Sequence, residues 1–163
     1  MITQFEVSSQ NTVLCDWRFL LPYRFREDIT TADAAFEAWG ESIDELFIES
    51  ANATMNIMVE NPGSISPSRF TTIHGEADTI EMLLFRFLEE LIFYKDAEQL
   101  LLRVYDVEIE ECNSGFKFEA DVYGEEINPS KHHLNVDIKA VTLHRFSVEE
   151  TERGWEATVV VDI

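Results

Sequence analysis

Three carboxylates stand out by type and position. In the closing stretch WEATVVVDI a period of two puts Trp155, Ala157, Val159 and Val161 on one face of a strand. Asp162 then falls on the other face, beside the terminal carboxylate of Ile163. If the earlier strand carrying Asp33, in TTADAAFEAWG, lies alongside, three acidic groups converge. Each pair at about 4 Å would repel by about 1 kcal/mol in bulk water and by about 4 kcal/mol at an effective dielectric of about 20. Such a cluster either protonates in part or holds a cation. Hard oxygen donors without thiolate or imidazole favour calcium or magnesium over zinc. The alternative, on spacing alone, is three independent surface acids.

Other chemistry is weakly signalled. The sequence contains no GxSxG, P-loop, GxGxxG or HExxH, so the common enzyme families are not suggested. His74, His132, His133 and His144 show no helical i,i+4 pairing, and adjacent histidines on a strand would point to opposite faces. Cys15 and Cys112 stand far apart without CxxC spacing, which suggests neither a disulfide framework nor a thiolate zinc site.

The elements that must position the carboxylates follow from periodicity. Ile43, Leu46, Phe47, Ala53, Ile57 and Met58 form one helical stripe, with Ser42 and Glu45 as a capping box, and predict a helix from about Ile43 to Val59. Ile80, Leu83, Leu84, Phe87, Leu88 and Leu91 predict a second helix, with Asp78 and Glu81 as its box. Ile92 and Phe93 make its opposite face partly apolar too, as for a helix covered on more than one side or one that meets a partner. The intervening NPGSISPSRF reads as a loop.

After Leu100 the period becomes two. It is clearest in GFKFEADVY, and LNVDIKAVTLH and WEATVVVDI alternate likewise, with TERG as a hairpin turn. The expected fold is α+β, a compact two-layer sandwich of mostly antiparallel sheet with two main helices packed on one face. Residues 1–21 read as an N-terminal arm or short strand and residues 22–163 as a single domain.

With 163 residues, 45% of them hydrophobic, the chain has the apolar content for one core. The 32 acidic residues against 12 basic ones, a formal charge of −20, argue against direct nucleic-acid binding and allow a basic protein partner. Neither a membrane-length apolar run nor a signal segment is evident, and a cytoplasmic location is expected.

The stretches TTADAAFEAWGESIDELFIESANATMNIMV, IEMLLFRFLEELIFYKDAEQLLL, GEEINPSKHHLNVDIKAVTLH and GWEATVVVDI together resemble the archease family, over about Tyr23 to Ile163. IKAVTLH and the closing DI are the most specific. The resemblance implies a non-catalytic cofactor of the GTP-dependent ligase that joins RNA ends bearing a 3′-phosphate or 2′,3′-cyclic phosphate to a 5′-hydroxyl in tRNA splicing. That cofactor promotes ligase guanylylation and multiple turnover and broadens nucleotide use.

It also implies a divalent metal, calcium, held by Asp33, Asp162 and the oxygens of Ile163. A C-terminal tag is accordingly expected to weaken metal binding and an N-terminal tag to be tolerated. Lys139 falls at the family's lysine, either balancing carboxylate charge or reaching a partner's phosphate; the plain alternative is an exposed strand lysine. His144 and His132 also match family positions. Many archeases read His-Thr-Ala-Asp where this chain has Thr30, Thr31, Ala32 and Asp33, and Asp28 is a candidate to occupy part of the missing imidazole's space. A general chaperone, or a structural divalent-metal module unrelated to RNA, is the competing reading.

Overall fold

The structure, a computed structural model, describes residues 21–29 and 33–163. The expectations for residues 1–20 and for Thr30 lie outside the described residues. In chain order the elements are β1 Tyr23–Phe25, β2 Ala34–Gly40, α1 Ile43–Met58, β3 Arg69–Ala77, α2 Ile80–Glu98, β4 Leu100–Cys112, β5 Gly115–Glu126, β6 Ala140–Thr151 and β7 Gly154–Asp162. A 3-10 turn, Pro62–Ser64, lies in the Pro- and Gly-rich loop. The class is α+β, and among the described residues all strand pairings are antiparallel.

The strands divide into a four-stranded sheet ordered β1-β2-β7-β6 and a three-stranded sheet ordered β3-β5-β4. Each helix touches strands of both sheets: α1 meets β2 and β4, and α2 meets β3 and β6. The helix layer expected on one sheet face therefore has a second sheet against it. This arrangement buries two flanks of α2, Leu83, Phe87 and Leu91 on one and Leu84, Leu88 and Ile92 on the next, while Phe93 stays exposed. The core is one continuous cluster joining both sheets and both helices, with Phe47, Phe87 and Phe118 ring to ring at 5.2 Å.

The local signals act largely as expected. Ser42 Oγ accepts from the Glu45 N–H at 3.1 Å and caps α1, while the Glu45 carboxylate reaches back to the Glu41 N–H, one residue earlier than a full capping box requires. The N-cap of α2 is Thr79, whose hydroxyl accepts from the Met82 N–H, rather than Asp78. Gln99 ends α2 in the left-handed region at φ 55°. In β5, Phe118, Ala120 and Val122 are buried, and Lys117, Glu119 and Tyr123 lie on the other face. At the β6–β7 hairpin only glycine fits: Gly154 has φ +123°, and a Cβ there would stand 2.3 Å from the Gly40 carbonyl oxygen.

One alternating run is not a strand. Residues 135–139 of LNVDIKAVTLH carry no ladder, and β6 begins only at Ala140. Asn135 donates its N–H to the Met58 carbonyl and Leu134 bridges to Val59, so this segment is tied to the end of α1 instead.

A carboxylate edge on the four-stranded sheet

The sheet register brings the predicted residues to one edge. Ala34 on β2 pairs with Val161 on β7, so extending that ladder by one residue on each strand sets Asp33 facing Asp162. On the other flank of β7, Ala140 pairs with Asp162, and the Lys139 N–H donates to the Asp162 carbonyl at 2.8 Å. Asp33, Lys139, Asp162 and Ile163 therefore meet where β2, β7 and β6 end together. Asp162 and Lys139 are exposed, while the Ile163 side chain packs against the core and anchors the strand end.

The donor set fits a hard cation in chemistry and is small in number. Opposed positions on antiparallel strands have Cα atoms about 4.5–5.5 Å apart, near enough for two aspartates to share an ion. Among the described residues no group of three or more His, Cys, Asp or Glu side chains gathers as a metal site.

The remaining predicted residues, Asp28 and His144, have partners or settings of their own. Asp28 is exposed and takes two hydrogen bonds from Arg26, from Nε at 2.6 Å and Nη2 at 2.5 Å, which hold its carboxyl down to about 2. Arg26 also pairs with Glu37 on β2, so Asp28 belongs to an ion-pair chain along the β1–β2 hairpin. His144 is exposed within an irregularity of β6. The register slips between Thr142 and Ser147, and Arg145 adopts a left-handed φ of 53°.

Sequence reasoning missed two polar groups that support the edge. Lys95, in the last turn of α2, is 4% exposed; its ammonium bonds the Ile138 carbonyl at 2.7 Å, Asp96 at 2.8 Å and the Asp137 carboxylate. Burial would lower its pKa, but the hydrogen bonds to Asp137 and Asp96 outweigh that and raise it above the ordinary lysine value. Glu89, also on α2, accepts from the Val141 N–H at 2.7 Å. Together these side chains seat residues 137–141, and hence Lys139 and its bond to Asp162. A lysine amid the apolar stripe of a helix was the available signal.

His132, matched by the family resemblance without a role, is wholly buried. Its Nδ1 accepts from the Asn128 N–H at 3.0 Å, so the proton sits on Nε2 and is donated to Glu125 at 2.8 Å. Glu125 also accepts from Lys131 at 2.5 Å and from the Ser66 N–H at 2.9 Å. Led by the Lys131 ammonium, these donors bring its pKa down to about 2. The Asn-Pro-Ser turn signal before His132 marked this loop.

Comparison with known proteins agrees with this architecture. The description "Archease protein family" belongs to the family model that matches residues 23–163. The chain is 37% identical over 143 residues to protein archease of Archaeoglobus fulgidus, covering 88% of this chain and all of that one. It is 35% identical over 134 residues to protein archease of Pyrococcus abyssi, covering 82% and 94%. Among solved structures, protein 1598 of Methanobacterium thermoautotrophicum superposes with a TM-score of 0.75 at 27% identity, covering 87% of this chain and 99% of that one. An archease described as a possible chaperone, from Thermotoga maritima, shares the fold at a TM-score of 0.52 and 18% identity, covering 85% and 96%.

Proposed function

The chain belongs to the archease family, and we propose that it acts as a non-catalytic activator of a GTP-dependent RNA ligase, promoting guanylylation and repeated turnover of that enzyme in tRNA splicing. The observation that carries this reading is the meeting of Asp33, Lys139 and Asp162 at one sheet edge. Asp33 and Asp162 with Ile163 would hold a divalent cation there, calcium being suited to an all-oxygen set. A bound cation would supply positive charge that offsets the repulsion of adjacent carboxylates and offers open coordination sites to phosphate oxygens.

The chain's own residues do the rest. The Lys139 N–H fixes the Asp162 main chain, and Lys95 and Glu89 fix the segment that carries Lys139. The Lys139 ammonium, exposed at the edge, can meet a nucleotide phosphate of the ligase. The net charge of −20 favours approach to a basic, RNA-binding enzyme surface in the cytoplasm.

The test is a ligation time course with RNA substrate in excess over the cognate ligase. With this protein the product should exceed the ligase concentration severalfold, and without it the product should stall near one equivalent. Equal yields would sink the proposal. The second reading is a general chaperone or a structural metal module; it draws on the description of the Thermotoga maritima protein. It predicts unchanged ligation together with suppressed aggregation of unrelated unfolded proteins.

A further inference from the structure

We propose that the outer face of the β3-β5-β4 sheet is a docking surface for an arginine-rich protein face; this rests on the function proposed above, in which that face belongs to the RNA ligase. Phe70 on β3 stands directly opposite Tyr123 on β5, and Tyr105 is the extra residue where the β4 register slips between Val104 and Asp106. The three rings form a triangle, with centroids 6.3 Å apart for Phe70 and Tyr105, 6.2 Å for Phe70 and Tyr123, and 6.0 Å for Tyr105 and Tyr123. Phe70 is 63% exposed and Tyr105 51%.

Sheet pairing alone does not account for this triangle. A cross-strand aromatic pair needs two rings, whereas the third arrives through a bulge that interrupts the ladder. Exposed clustered aromatics are the composition of an interface centre.

The chemistry around the rings selects the occupant. The next rungs on the same face carry Asp121 with Asp106 and Glu119 with Glu108, and beyond them Lys117 is paired to Glu110 at 2.8 Å. A nucleic acid would meet like charge there. A second copy of this chain would bring the same carboxylates against themselves, at −20 per chain. Arginine satisfies both halves of the surface, since its guanidinium stacks on aromatic faces and bonds carboxylates in pairs. This face lies on the other sheet from Asp33 and Asp162, so docking and the carboxylate edge are separable by mutation.

The experiment measures affinity of the purified cognate ligase for the wild type, for Phe70→Ser with Tyr105→Ser, and for Glu108→Lys with Glu119→Lys, each checked for an unchanged thermal midpoint. Because the charge variant keeps every ring, it serves if the aromatic variant fails to fold. Both variants should bind at least about tenfold more weakly, yet reach wild-type stimulation of ligation at higher protein concentration. Affinities within twofold of wild type would overturn the inference while leaving the activator function standing. A wild type that neither binds nor stimulates the ligase would overturn the function and this inference together. A wild-type dimer dissolved by the aromatic substitutions would make a second copy the occupant and overturn it as well.

Discussion

At the scale of single residues, the best-defined chemistry is the bond set around Glu125. Its pKa is brought to about 2, below the ordinary glutamate value of 4.5, chiefly by the Lys131 ammonium. A lowered pKa in the fold means the charged form is favoured by folding. This contribution is complete above the unfolded value and is lost as pH falls from about 4.5 towards 2. Glu125→Gln should therefore be less stable than wild type by about 1–3 kcal/mol at pH 7 in urea unfolding. The gap should narrow as pH is lowered through that window, and a gap independent of pH would show that Glu125 acts by packing alone. The face taken by Asp162 was legible from the period of β7, because alternation fixes which side of a strand a residue takes; that Asp33 lies across from it depends on the pairing of β2 with β7, which no local pattern records. The setting of His132 was not legible: it and His133 read as facing opposite sides of a strand, whereas they lie outside any strand, His132 buried and His133 exposed. There the ring is held by Asn128 and Glu125, and Glu125 in turn accepts from the N–H of Ser66, which is distant in sequence.

Among the elements, α2 has two tasks: it fills the space between the sheets and it seats the start of edge strand β6. Phe85 packs edge-on against Phe146 at 5.8 Å, and Lys95 and Glu89 reach the backbone of residues 138 and 141. Lys95→Met keeps the apolar stem but leaves the Ile138 carbonyl without its donor. It should cost about 1–3 kcal/mol of stability. It should also speed hydrogen exchange at the Lys139 amide, whose bond to Asp162 depends on the same segment. Unchanged exchange at Lys139 would separate Lys95 from the carboxylate edge. Helices and strands β5 and β7 were legible because their burial follows a single local period. LNVDIK alternates equally well but is claimed by the end of α1 through Asn135 and Leu134, a tertiary preference that no local pattern records. The partition of strands into two sheets is likewise set by long-range pairing, as when β2 joins β7 across most of the chain.

For the whole molecule the governing quantity is charge. With 32 acidic and 12 basic residues, association with a basic ligase should be steered over distances comparable with the Debye length. Raising salt from about 0.05 to 0.5 M should slow association at least about tenfold and change dissociation less. A rate independent of salt would contradict steering. The central claim is that the edge formed by Asp33, Lys139 and Asp162 assists the ligase directly, and guanylylation of the cognate ligase tests it most directly. With GTP and divalent metal present, the wild type should accelerate formation of the ligase–GMP adduct, and folded Asp162→Ala should lose at least about tenfold of that acceleration. Equal acceleration by the two proteins would contradict the account.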